Sequence, residues 1–279
     1  MAINSNRFKK KPQSEPGDMI FGIFPVLEAL RSGAEPDKIL LQQGLKTPHM
    51  AELRDLVNKA EVPVQVVPRE KLDRLTRSNH QGVIGLMSPV AFQPLEEVIS
   101  RVFEQGRDPF FLLLDRVTDV RNFGAICRTA ECAGIDAVIV PSRGSARIGA
   151  DALKTSAGAL MNLPVCRSSN LKDTIDYLKA SGLRVLACTE KGKTSLFESE
   201  IKGPVLIMMG SEEDGISPEY LKRADEQLLI PMFGKTGSLN VSVATALMLY
   251  EGVKNGIKLP LLPLFGLHVF LGSQHKGGT

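Results

Sequence analysis

Cysteine and histidine are scarce in this chain: four of each are spread over 279 residues. Cys127, Cys132, Cys166 and Cys188 form no Cys-x-x-Cys pair and the histidines are scattered, so no zinc site or disulfide framework has a spacing to support it. Buried free thiols and no bound metal are the expectation. Long apolar runs are missing as well. Apart from the last twenty residues, nothing approaches the roughly 18 consecutive apolar residues of a membrane span. The opening "MAINSNRFKKKPQSEP" lacks the apolar stretch of a signal peptide. A cytoplasmic protein without membrane association is expected.

Phosphate-binding signatures are absent too. "FGKTGS" and "KGKTS" both contain Gly-Lys-Thr, but a P-loop needs a further glycine five positions earlier, where this chain has Leu229 and Ala187. "GSARIG" is followed by Ala150 and Asp151 rather than by Lys and a hydroxyl residue, and no Gly-x-Gly-x-x-Gly follows a strand. These absences argue against a nucleoside triphosphatase or a conventional dinucleotide enzyme. Charge is also nearly balanced, at +3 overall, but unevenly placed. Residues 1–90 carry 13 basic and 10 acidic groups, while the remainder holds 21 of each. The surplus includes "RFKKK" and Arg69, Lys71, Arg74 and Arg77, a footprint compatible with phosphate contacts and equally with a solvated face.

What is present is an ordinary globular composition, 43% hydrophobic and 23% charged, with length for one large or two modest domains. After a basic tail over 1–18, residues 19–89 read as a small α/β unit. "FPVLEALRSG" and "MAELRDLVNKA" have helical apolar spacing, and "KILLQ", "VPVQVV" and "GVIGLM" read as strands. A linker and helix occupy 90–109. From residue 110 to 258 one theme recurs, a buried strand and then a helix: "FFLLLD", "DAVIVP", "NLPVC", "LRVLAC", "PVLIMMG" and "QLLIP". Continuous apolar strands alternating with helices indicate a parallel sheet covered on both faces, with ligands at the strands' carboxyl ends. The loops after "FFLLLD", "LRVLAC", "PVLIMMG" and "QLLIP" should therefore line a site. The apolar tail 259–279 has no assigned role.

Three blocks fall in or beside those loops: "LDRVTDVRNFGAICRTAECAG" (114–134), "LIMMGSEEDGIS" (206–217) and "LIPMFGKTGSLNVSVATALMLYE" (229–251). In the first, Asn122 can cap a helix and Gly124 permits close approach, with Arg128 six residues beyond Asn122. Standing alone, Arg128 is an ordinary exposed arginine and "EED" a solvated acidic turn. Helix capping likewise accounts for Asn240 and Ser242. Taken together, an Asn-x-Gly-x-x-x-Arg block, a Gly-x-Glu block after a strand and a block ending in Ser-Leu-Asn-Val-Ser resemble the SpoU family of RNA 2′-O-ribose methyltransferases. The front unit, ending in "RSNHQGVIG", is similar to the substrate-binding domain that accompanies the enzymes acting on guanosine of large-subunit ribosomal RNA.

The resemblance implies an α/β fold in which a parallel-sheet domain containing a trefoil knot follows a small α/β substrate-binding domain. It implies S-adenosylmethionine as cofactor, with Gly210, Ile230 and Leu239 at contact positions. Asn122, Arg128, Glu212, Ser238 and Asn240 match the positions that act near the reacting groups. RNA is the implied partner, ribosomal RNA in preference to transfer RNA, and the implied assembly is a homodimer. A non-catalytic RNA-binding protein that keeps the fold is the alternative.

Overall fold

The computed structural model describes residues 19–256. Within them the chain forms two sheets. In the first, β1 (Met19–Phe21) is followed by α1 (Ile23–Arg31), β2 (Pro36–Gln42), α2 (Met50–Lys59), β3 (Val64–Val67), α3 (Arg69–Leu75) and β4 (Val83–Met87). The strand order is β1-β4-β2-β3, with β4 antiparallel to both neighbours and β2 parallel to β3. Side chains alternate across this sheet. Ile39 and Val83 pack beneath α1 and α2 with Val26, Leu27, Leu53 and Val57, whereas Leu40, Val67 and Ile84 meet Leu72 of α3 on the other face.

The chain then passes through α4 (Leu95–Glu104) into β5 (Phe110–Leu114), α5 (Val120–Cys132), β6 (Ala137–Pro141), α6 (Ala150–Thr155), β7 (Val165–Ser168), α7 (Leu171–Ala180) and β8 (Arg184–Cys188). It continues through β9 (Thr194–Ser195), β10 (Val205–Met209), α8 (Pro218–Leu221), β11 (Glu226–Leu229) and α9 (Val241–Lys254). The second sheet has the order β7-β6-β5-β10-β8-β11-β9, and every pairing in it is parallel. Strands β5 and β10 are buried at every residue. Phe110, Leu112 and Leu114 face α5 and α9, where Phe123, Ile126, Met248 and Leu249 complete one core. Phe111 and Leu113 face α4 and α7, against Val98, Ile99, Ile175 and Leu178. The six apolar runs of the sequence are all strands of this sheet.

Helix α5 begins one turn earlier than its asparagine suggests. Asp119 is the N-cap and its carboxylate accepts from the Asn122 backbone N–H at 2.8 Å, so Asn122 lies inside the first turn with its side chain released from capping. Gly124 does permit a close approach, and the neighbour is α6: a Cβ there would meet Thr155 Oγ1 at 2.0 Å and the Ser156 N at 2.9 Å. Burial of the thiols is uneven. Cys127 and Cys166 are buried and Cys188 partly so, but Cys132 is exposed at the end of α5.

Candidate active site

Helices α5 and α9 lie side by side with their N-terminal ends at the carboxyl edge of the second sheet. That packing joins all three sequence blocks. Asn240 caps α9 through Oδ1, which accepts from the Ser242 N–H at 2.9 Å and from Ser242 Oγ at 2.5 Å. Its Nδ2 donates to Asn122 Oδ1 at 3.0 Å and to Glu212 Oε1 at 2.7 Å. The Val241 N–H reaches the same carboxylate oxygen at 3.5 Å. A negative group at the start of α9 is favoured by the helix dipole, typically by ~0.3–1 kcal/mol at an exposed site. With both Nδ2 hydrogens engaged, the Asn240 amide is fixed in orientation. Among the described residues, Asn122 Nδ2 and Glu212 Oε2 make no hydrogen bond, leaving one donor and one acceptor open at the cluster's edge.

Beside the cluster opens a cavity of about 590 Å³. Its walls come from the loops after β8 (Cys188–Lys191), β10 (Met209–Gly215) and β11 (Ile230, Met232 and Gly237–Asn240), closed by Val241 and Ala244 of α9. Gly210, Ile230, Ser238, Leu239, Glu212 and Asn240 all line it. The apolar share of the wall is Met209, Ile230, Met232 and Leu239; the charged share is Glu190, Glu212, Glu213 and Asp214 against Lys191 alone. Such a volume suits a nucleoside-sized ligand, and the acidic excess suits one that carries positive charge. The Cys188 thiol on this wall is pushed up to about 12 by burial, so it stays protonated and unreactive at neutral pH.

The loop after β5 faces a second cavity of about 420 Å³, walled by Arg116–Asp119, Asn122, Gly144, Ser211–Asp214 and Val241. The turn Ser211–Asp214 and Val241 are common to both cavities. The turn is tight for its own sake. A Cβ on Gly210 would meet the Gly215 carbonyl carbon at 2.1 Å and the Ile216 N at 2.2 Å, so the loop closes this tightly only on a glycine, whose backbone also lines the larger cavity.

Arg128 is not part of this constellation. It is exposed on α5, lines neither cavity, and makes no hydrogen bond or ion pair among the described residues. Six helical residues from Asn122 correspond to about 9 Å along the axis and roughly 240° around it, which turns the two side chains to different faces. Conversely, Asp115 and Arg116 were not singled out by sequence reasoning. Asp115 is buried at the end of β5 and binds Arg116 and Ser217, and Arg116 also binds Asp214. Their position at the head of the first block, in a loop expected to line the site, was the available signal. Among the described residues there is no group of three or more His, Cys, Asp and Glu side chains that could hold a metal, and no helix long and apolar enough to cross a membrane.

Known proteins are similar to this chain in sequence and fold. Residues 19–93 match the model of the RNA 2′-O ribose methyltransferase substrate-binding family. A protein of Staphylococcus saprophyticus, whose name places it in the TrmH family of tRNA/rRNA methyltransferases, is 36% identical over 233 residues, covering 84% of this chain and 94% of its own. Two crystal structures superpose on the fold. One is an rRNA methyltransferase from Sinorhizobium meliloti with AdoMet bound, at TM-score 0.53 and 25% identity over 85% of this chain and 86% of that one. The other is an RNA 2′-O ribose methyltransferase, at TM-score 0.50 and 26% identity over 85% and 88%. Residues 109–250, which carry the Asn122–Asn240–Glu212 cluster and both cavities, match the SpoU rRNA Methylase family model, and the chain belongs to that family.

Proposed function

We propose that the protein methylates the 2′-hydroxyl of a guanosine ribose in large-subunit ribosomal RNA, with S-adenosylmethionine held in the larger cavity. The observation that carries the reading is the Glu212–Asn240–Asn122 cluster, which sits where the cavity shared by three strand loops meets the cavity beside it. The cavity fits the cofactor in size, apolar wall and acidic excess; Gly210, Ile230 and Leu239 would hold it, and it supplies a methyl group on a cationic sulfonium. The chain's own task is then to align an alcohol and to accept or relay its proton.

The residues divide that task. Glu212 locks Asn240 and keeps Oε2 free, Asn122 keeps a free amide donor, and Ser238 adds a hydroxyl on the cavity wall. Arg128, an unpaired guanidinium, is suited to a substrate phosphate as a planar fork of donors. Its distance in register from Asn122 favours phosphate binding over direct proton abstraction. The front unit 19–89 would select the RNA, with Arg69, Lys71, Arg74 and Arg77 all exposed. A knot in the segment 229–251 belongs to this proposal; placement of β11 beyond β8, followed by return of α9 onto α5, is consistent with it. So does a homodimer, for which Val243, Leu247 and Tyr250 form an outward apolar stripe on α9.

The test is methyl transfer from labelled S-adenosylmethionine to separated ribosomal and transfer RNA, followed by mapping of ribose methylation. Incorporation at a guanosine of ribosomal RNA is expected. Incorporation confined to transfer RNA would overturn the substrate, and cofactor and RNA binding without transfer would point to the non-catalytic alternative.

A further inference from the structure

Arg116 has a backbone φ of +58°, a left-handed conformation that costs a non-glycine residue ~1–2 kcal/mol. Its guanidinium shows what the conformation achieves. Nε donates to Asp115 Oδ1 at 3.0 Å and Nη2 to Asp115 Oδ2 at 3.3 Å, a fork on a carboxylate that is 2% exposed. The rest of the group reaches across to the turn after β10: Nη1 donates to Asp214 Oδ2 at 2.9 Å and Nη2 to the Gly215 carbonyl at 3.1 Å. Asp115 grips the far end of the same segment, since its Oδ2 accepts from the Ser217 N–H and from Ser217 Oγ, both at 2.7 Å.

Between those anchors the turn has little freedom. Ser211 and Gly215 exchange backbone hydrogen bonds at 3.2 and 3.1 Å, and the Asp214 N–H donates to Ser211 Oγ at 3.1 Å. A turn closed on itself moves as one body. The residue it presents to the rest of the site is Glu212, whose Oε1 binds Asn240 and the Val241 N–H.

We propose that Arg116 is a positioning residue that acts through the Ser211–Gly215 turn on Glu212, fixing where that carboxylate meets Asn240 and the start of α9. The inference rests on the reading of the Glu212–Asn240–Asn122 cluster as the reaction site. A second consequence is electrostatic. Glu212, Glu213 and Asp214 present three adjacent negative charges on the wall of the cavity that a phosphodiester must approach, and Arg116 is the cation bound to that turn among the described residues. Its removal would therefore weaken RNA binding in a salt-dependent manner, by like-charge repulsion.

Two measurements test the proposal on the full chain. The first needs no activity: amide hydrogen exchange of Arg116→Ala against the native protein, a substitution that leaves the left-handed backbone requirement unchanged. Exchange at least about tenfold faster is expected both in Ser211–Ser217 and in the first turn of α9, from Val241 to Ala244. Faster exchange confined to Ser211–Ser217 would overturn the coupling, as would no change at either place. The second is a double-mutant cycle in methyl transfer with Arg116→Ala and Glu212→Gln. A residue acting through Glu212 lowers kcat about tenfold or more in the native background and changes it little once Glu212 is Gln. Losses that multiply would overturn the proposal. Arg116→Lys separates the two consequences, because it should restore the salt dependence of RNA binding but not kcat. If the native protein transfers no methyl group, the activity reading fails while the exchange experiment still decides the coupling.

Discussion

Arg167 and Asp37, on strands of different sheets, form the joint between the two halves of the molecule. Arg167 Nη2 donates to both the carboxylate and the backbone carbonyl of Asp37 at 3.3 Å, and Nη1 to the Pro36 carbonyl at 3.2 Å. The guanidinium lies over the Phe92 ring, 3.6 Å from its centroid. Burial shifts both partners toward neutrality, raising the Asp37 carboxyl above the usual carboxylate range and lowering the Arg167 guanidinium, despite their mutual attraction.

The joint predicts a mutational asymmetry. Arg167→Ala leaves a buried carboxylate unpaired and should destabilise the protein by about 2–4 kcal/mol, whereas Asp37→Asn with Arg167→Met should recover much of that loss. Chemical denaturation of the three proteins is the check. The pH dependence has a definite sign. A folded-state value above the unfolded one means that the native protein holds this proton longer. Stability is therefore lost as pH rises from the ordinary carboxylate range through the folded value. Asp37→Asn should flatten that segment of the stability profile.

Glu212→Gln keeps the volume and loses the charge. It should lower kcat by roughly 10²-fold or more, the scale of a preorganised electrostatic or proton-accepting group, with cofactor affinity changed much less. Asn240→Ala should also cost about 1 kcal/mol of stability through loss of the α9 cap. Single-turnover kinetics and thermal melts separate the two effects, and a native rate in Glu212→Gln would remove that residue from the chemistry.

Arg128 predicts differently because it stands apart from the cluster. Arg128→Ala should abolish methyl transfer with little effect on S-adenosylmethionine binding or melting temperature. Arg128→Lys keeps a charge for the phosphate but not the planar fork, and substantial residual activity there would favour simple phosphate attraction. A wild-type single-turnover rate for Arg128→Ala would exclude the role.

Leu247→Lys, placed in the exposed stripe of α9, should leave the fold intact and shift the mass seen by light scattering at micromolar concentration from two chains to one. A native protein that is already a fully active monomer would refute the dimer.

Thiol labelling offers a direct view of the cores. Burial raises the Cys127 thiol far above its usual range and pushes Cys166 up to about 12, while Cys132 is exposed. Partial burial and neighbouring Glu131 also raise the Cys132 thiol, so at pH 8 one cysteine per native chain, Cys132, should react ahead of the others, and all four should react in denaturant. Prompt labelling of Cys127 would show that α5 does not pack as described.

The strands of the second sheet were legible because "FFLLLD" and "PVLIMMG" are apolar on both faces, as central parallel strands must be. β1 has three residues and β9 two, too short for any period, and α3 buries only Leu72, so neither spacing nor burial announced them. Which loops line the larger cavity followed from the strand pattern; which side chains touch within them did not. Asn122 gave no sign that Asp119 would take the cap, because both types cap helices well and only the backbone decides. Arg116 was hidden for another reason. Its partner Asp214 is distant in sequence, and nothing local in "LDRVTD" encodes that meeting.

Strand β10 lies between β5 and β8, pairing residue 205 with residue 110 on one side and 184 on the other. During synthesis, β5 therefore emerges long before the strand that covers its inner edge. At ~5–20 residues per second the ribosome leaves that apolar edge open for roughly 5–20 s. The nascent chain is then a template for wrong strand partners, and a requirement for chaperone protection would fall in this window rather than after release. Glu212 follows β10 directly and Asn240 comes 28 residues later, so the Glu212–Asn240–Asn122 cluster can assemble only after this exposure ends.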